Sequence, residues 1–254
     1  EAGKHLIVEK PIDVTKEAGE QLIAAADKAG VKLAVIFQNR FAPSMAKVRK
    51  ALDEGTLGRL LYGEATVKWY RQESYYTSKP WKGTWEFDGG GALLVQAIHT
   101  IDLLLWFMGS RVKNIQSFAR TLLHPIEVED LAAAVLEFES GALGYIVGST
   151  AMKPGFPERI ELYGEKGSIA LEAGRIVRWQ VEGMNEEDYL DPAPRGSGSS
   201  DPGGIPLENH TAQLQAIARS ILAGEEPPVS GPEAMVSLNC ILDIYRLGGM
   251  ESKK

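Results

Sequence analysis

The sequence predicts an α/β unit followed by an α+β unit that carries a large, open, mainly antiparallel sheet. Strand, helix and strand patterns follow one another over residues 1–41, as a βαβ unit of a parallel sheet requires. From residue 42 to 254 come a helix, a long strand, one very apolar helix and a run of short strands, with two helices grouped at the end. Consecutive strands with helices set apart are the pattern of an α+β layer structure. A chain of 254 residues is long enough to bury a sizeable core in each unit.

The first unit opens on Leu6-Ile7-Val8, a short apolar run of the kind found in the middle of a parallel sheet. Only five residues precede it, too few to supply a neighbouring strand. The chain is therefore expected to be the C-terminal portion of a longer protein. Pro11 ends the strand and keeps Lys10 extended, so the lysine projects from the strand's carboxyl end, where open α/β sheets hold their ligands. Thr15 reads as the N-cap of a helix over 16–28, with a stop at Gly30. Leu33-Ala34-Val35-Ile36-Phe37 is a second buried strand, and it ends in Gln38-Asn39-Arg40.

In the second unit a helix over 43–52 closes at Gly55. Residues 61–70 alternate in parts, which predicts a long antiparallel strand with one wet face. A loop rich in tyrosine and tryptophan, 75–85, suits a ligand site and the edge of a core equally well. Further strands are predicted over 112–119, 130–139, 142–152, 159–163, 168–172 and 176–181. Ser140-Gly141 and the 164–167 turn mark hairpins between them. Residues 191–204, rich in Pro, Gly and Ser, predict a mobile surface loop, and helices follow over 209–222 and 231–247.

The net charge of −7, with no basic run longer than a pair, argues against nucleic acid or an anionic membrane as partner. One cysteine, Cys240, excludes an internal disulfide framework and fits a cytoplasmic protein. No apolar run is expected to reach the ~20 residues that span a bilayer, and the opening residues do not read as a signal peptide. The four histidines show no metal-ligand spacing.

The chemistry concentrates in the stretch 88–102. Gly89-Gly90-Gly91 opens a strongly apolar helix that carries His99 and Asp102 one turn apart. Glycines let a backbone approach closely, and a helix N-terminus offers free N–H groups. A histidine in so apolar a helix is either satisfied within the core or used.

Glu9-Lys10-Pro11, Asn39-Arg40, Trp81-Lys82-Gly83-Thr84-Trp85, Gly89-Gly90-Gly91 and His99-Thr100-Ile101-Asp102, in this order and spacing, resemble the Gfo/Idh/MocA family of nicotinamide-dependent oxidoreductases. Glu127-Val128-Glu129-Asp130, Phe138-Glu139-Ser140-Gly141 and the ending over 210–248 sit where that family has similar segments. The resemblance implies that 1–41 is the end of a Rossmann dinucleotide domain and 42–254 a substrate and oligomerisation domain. It implies NAD or NADP as cofactor, a sugar or polyol substrate, and a homo-oligomer formed through the open sheet face. The Gly-rich turn that seats the cofactor pyrophosphate is absent from this sequence.

By the same resemblance His99 is the catalytic acid/base and Lys10 assists it as a cation beside the developing alkoxide. Glu9, Lys10 and Gln96 fall on the cofactor side, and Gln96 also faces substrate. Arg40, Tyr76, Trp81, Asp102 and His210 are candidates to bind a polyhydroxylated ligand, because sugars need hydrogen-bonding forks and flat apolar faces. No metal is expected. Many relatives carry an aspartate four residues before the histidine, where this chain has Val95, on the same helical face. A second reading, a non-catalytic sugar-binding or assembly module without a cofactor half, is favoured by Val95 and by the missing Gly-rich turn.

Overall fold

The computed structural model describes residues 2–192 and 207–250. Most of the loop expected over 191–204 lies outside the described residues. The βαβ unit forms as its pattern requires: β1 (Leu6–Glu9), α1 (Lys16–Lys28) and β2 (Leu33–Ile36), with β1 and β2 parallel. The Thr15 hydroxyl accepts the Ala18 N–H, as an N-cap does. β2 is buried along its whole length, but in β1 Leu6 is 36% and Ile7 49% exposed. The apolar run predicted a strand covered on both sides. Here β1 pairs on one edge only, so its side chains face solvent.

After a 3₁₀ turn (Gln38–Phe41), α2 (Pro43–Asp53) leads to β3 (Leu60–Lys68). The aromatic stretch folds into two short helices, α3 (Glu73–Thr77) and α4 (Trp85–Asp88). The apolar helix follows as a π-helical turn (Ala92–Ala97) continued by α5 (Ile98–Met108). Then come β4 (Val112–Arg120), β5 (Leu131–Phe138), β6 (Leu143–Ser149), β7 (Arg159–Gly164), β8 (Gly167–Glu172) and β9 (Arg175–Val181), and finally α6 (Glu208–Ala223) and α7 (Gly231–Gly248).

The large sheet has the order β4-β5-β6-β3-β7-β8-β9. Every pair is antiparallel except β3 with β6, so β3 corrects the expectation of a purely antiparallel strand. β3 is inserted between two later hairpins, a position that local alternation does not reveal. The apolar helix lies against this sheet, and α7 packs behind it. Contact is close because Gly148 in β6 has no side chain: a Cβ there would stand 2.4 Å from Leu93 Cδ2. The stretch Trp85–Met108 is, by length and composition, apolar enough to cross a membrane, which corrects the sequence expectation. Its most apolar window is 78% buried inside the fold, which accounts for that composition without a bilayer.

The start of this helix is closed by protein groups. Glu129, fully buried, accepts the N–H of Gly91 (2.8 Å) and of Leu93 (2.7 Å). The Tyr245 hydroxyl donates to Glu129 (2.8 Å) and lies 3.2 Å from the Leu94 nitrogen. A Cβ on Gly91 would stand 1.8 Å from the Glu129 carbonyl oxygen. Gly90 and Gly91 therefore admit Tyr245 and Glu129, while Gly89 lies against Val14. Burial pushes the Glu129 carboxyl up to about 7 against these hydrogen bonds. Glu129→Ala removes a buried acceptor shared by the Gly91 and Leu93 N–H groups and the Tyr245 hydroxyl and should lower unfolding stability by roughly 3 kcal/mol, read from the urea midpoint. Gly91→Ala should destabilise by at least as much.

Candidate active site

Between Gly91 and Leu105 every residue is buried except Val95, Gln96 and His99. These three form an open strip along the first turns of the helix, and it faces the carboxyl ends of β1 and β2. The Lys10 ammonium, at the end of β1, donates to the Val95 carbonyl at 2.8 Å. The phenyl ring of Phe37, just beyond β2, meets the His99 ring edge-on with centroids 5.8 Å apart.

The Lys10 contact falls within the π-helical turn. In a regular α-helix the carbonyl of residue 95 would accept the N–H of residue 99. Where the pattern widens to a π turn, carbonyls lose their regular partners, and such turns often occur at functional sites. The Val95 carbonyl takes the lysine as its donor. Residue 95 has no side-chain acceptor, and its main-chain oxygen serves instead. Burial lowers the Lys10 pKa to about 8, with Glu9 opposing the shift.

His99 has a buried Nδ1 with no hydrogen-bond partner among the described residues. Burial first, then the charges of Lys10 and His210, hold its pKa well below the usual histidine range. The imidazole is neutral at physiological pH and is able to accept a proton. His210 reaches this neighbourhood from α6, and its buried Nδ1 also has no hydrogen-bond partner among the described residues. Gln213, three residues on, anchors the helix: its Oε1 accepts the Phe37 N–H (3.0 Å) and its Nε2 donates to the Val35 carbonyl (2.8 Å).

Arg40 and Asp102, both expected to bind substrate, bind each other. Arg40 Nε and Nη2 donate to the two Asp102 oxygens at 2.7 and 2.8 Å, and Ser237 adds a third bond to Asp102 at 2.8 Å. Arg40 also reaches Glu233 and lies over the Trp106 ring. Separating a buried pair costs about 3–5 kcal/mol, more than the roughly 1.5–3 kcal/mol a charged hydrogen bond to substrate returns. Asp102, one turn from His99, has its carboxylate engaged by Arg40 and Ser237. Tyr76 is likewise committed, its hydroxyl 2.7 Å from Thr150 Oγ1, and Trp81 stands further out, 44% exposed beneath Lys79.

Gln96 sits on the open strip with both ends of its amide held. Arg71 Nη2 donates to its oxygen (3.1 Å), and its nitrogen donates to the Tyr75 hydroxyl (2.9 Å). Sequence reasoning missed Arg71, Tyr75 and Gln213. Gln213 shares a helical face with His210 by its spacing, but neighbouring tyrosines in a loop give no sign of which one turns inward. Glu9, at the end of β1, acts on the site through its charge on Lys10. Among the described residues no group of three or more His, Cys, Asp or Glu could hold a metal ion.

Val95→Asp would place a carboxylate on the open strip beside Lys10. It should raise the Lys10 pKa by roughly 1–3 pH units, followed by NMR titration of the lysine side chains. An unmoved titration would place the residue 95 side chain out of reach of the ammonium.

Residues 45–170 match the model of the GFO/IDH/MocA C-terminal domain. The chain is similar to the WlbA dehydrogenase of Bordetella pertussis, a structure solved with NADH and UDP-GlcNAcA. It is 32% identical with a TM-score of 0.83, over 98% of this chain and 71% of that one. It is also 27% identical to myo-inositol 2-dehydrogenase of Thermotoga maritima, over 93% of this chain and 68% of that protein. An uncharacterized oxidoreductase of Bacillus subtilis is 30% identical over 71% of this chain. The chain spans about half the length of that last relative, 52%. With these likenesses extending over nearly all of its length, the chain belongs to the Gfo/Idh/MocA family.

Proposed function

We propose that the chain is the substrate-binding and catalytic part of an NAD(P)-dependent dehydrogenase that oxidises a carbinol of a sugar or polyol. The observation that carries this reading is the meeting of Lys10 and His99 on one open strip, with a main-chain carbonyl holding the lysine. Residues 1–41 act as the end of the dinucleotide domain and 42–254 as the substrate domain. The unpaired outer edge of β1 suits a further strand of the same sheet. We place the protein in the cytoplasm, where its family's cofactors are found.

The nicotinamide end of the cofactor suits the open strip, because the buried Nδ1 atoms of His99 and His210 have no partner among the described residues and a polar ligand could supply one. Glu9, Lys10 and Gln96 would border it. The sequence has no Gly-rich strand-to-helix turn for the pyrophosphate. When bound, the nicotinamide supplies the hydride acceptor. Neutral His99 takes the hydroxyl proton from the substrate. The Lys10 cation stabilises negative charge growing on the substrate oxygen, and enclosure by the apolar helix excludes competing water. The alternative, a sugar-binding module without turnover, draws on Val95 and on the missing turn.

Titration calorimetry of the 254-residue chain should detect no NAD(H) binding tighter than millimolar; low-micromolar binding would overturn the division of labour. With the cofactor half restored, assays against sugars and polyols with both cofactors should show turnover. His99→Ala should reduce it by about 10²–10⁴-fold with cofactor binding retained. Sugar binding without any turnover would favour the module.

The same reading includes a homo-oligomer. Phe118, Val135 and Leu143 are exposed on the face of the large sheet turned away from the apolar helix, at 71%, 51% and 51%. Such a patch suits a second copy. Val135→Glu should reduce the particle mass seen by light scattering; an unchanged mass would move the interface elsewhere.

A further inference from the structure

Gln96 is the one residue of the open strip whose side-chain polar groups are all oriented by neighbours. Arg71 can only donate, so the Gln96 oxygen must face it and the Gln96 nitrogen must face Tyr75. This fixes the direction of the next bond. The Tyr75 oxygen acts as acceptor toward Gln96, so its own O–H proton points elsewhere, and it finds no acceptor among the described residues.

The ring is held as firmly as the hydroxyl. Lys82 Nζ lies 3.7 Å from its centroid, the Arg71 guanidinium 5.7 Å away, and Tyr76 meets it edge-on at 5.1 Å. Tyr75 is half-buried, and burial keeps its phenol above the usual tyrosine range despite the Gln96 bond and the Arg71 charge. It is a protonated donor at neutral pH. A fixed, partly desolvated donor without an acceptor, connected through one side chain to the strip that carries His99, has the character of a specificity contact.

We propose that Tyr75 is a substrate-positioning residue whose hydroxyl donates to a sugar oxygen other than the one that reacts at His99, with Gln96 and Arg71 fixing its direction. The assignment rests on the reading of the chain as a sugar or polyol dehydrogenase. Its ligand class is a molecule with several oxygens on one ring, because one oxygen must reach His99 while another meets Tyr75. A buried donor left unmatched penalises a substrate that lacks the second oxygen.

The test is sugar binding to the 254-residue chain, followed by saturation-transfer NMR and calorimetry with myo-inositol, D-glucose, D-glucuronate and UDP-N-acetylglucosamine, then with monodeoxy forms of whichever binds. Tyr75→Phe keeps the ring and its packing, and an unchanged melting temperature confirms this. The variant should bind the sugar about tenfold more weakly, as loss of one hydrogen bond implies. One monodeoxy form should bind wild type about tenfold more weakly than the parent sugar, yet bind the variant as well as the parent does. Gln96→Leu should weaken binding in the same position-dependent way. If wild type binds a sugar and Tyr75→Phe binds it equally, or loses affinity alike for every deoxy form, the proposal is overturned and the dehydrogenase reading stands. If no sugar binds wild type, that reading and the proposal fall together.

Discussion

The buried pair of Arg40 and Asp102 is the interaction on which the arrangement depends. It joins the turn after β2 to the middle of α5, and through Ser237 it includes α7. These elements come from three distant parts of the chain. Without that cross-link an almost uniformly apolar helix could rotate or slide against the sheet at little cost, because apolar packing is not directional. A bidentate ion pair allows one rotational setting, and in that setting Val95, Gln96 and His99 face the ends of β1 and β2. The pair contributes position, and the apolar surroundings contribute stability.

A second constraint acts at the other end of the helix. Its first N–H groups would attract any anion, and Glu129 with Tyr245 occupies them from within the fold. The exposed groups are thus on the side of the helix, where the Val95 carbonyl accepts from Lys10. A carboxylate at residue 95 would pin the lysine by charge and hold its proton. The carbonyl holds the ammonium by a single hydrogen bond, and burial is then free to lower its pKa to about 8. Lys10 is consequently close to its own titration point at physiological pH, unlike an ordinary lysine.

The elements were largely legible in advance, and particular residues show why. Thr15 caps α1, and the turn at Ser140-Gly141 joins β5 to β6 as expected, because capping and turn chemistry act over a few neighbouring residues. The family's motifs picked out His99 and Lys10 as candidates, and the structure places both beside residue 95 or on its helical face. The exposed β1, the parallel pairing of β3 with β6, and the π turn were not legible. Each depends on what lies beside the segment in space. Among the candidate ligand residues, Arg40 and Asp102 had suitable chemistry, but their types could not reveal that they would meet each other.

By itself, the amino-acid sequence determined the order of strands and helices, the apolar character of the central helix, and the placing of a histidine within it. Those are properties of local periodicity and of side-chain type. Only the tertiary structure decided how the triple glycine is used. It closes against Glu129 and Tyr245, because a Cβ at Gly91 would meet the Glu129 main chain. The tertiary structure also decided which polar groups remain available. A side chain is available only if folding has not already paired it, and that depends on partners far away in the chain, such as Ser237 for Asp102, 135 residues on.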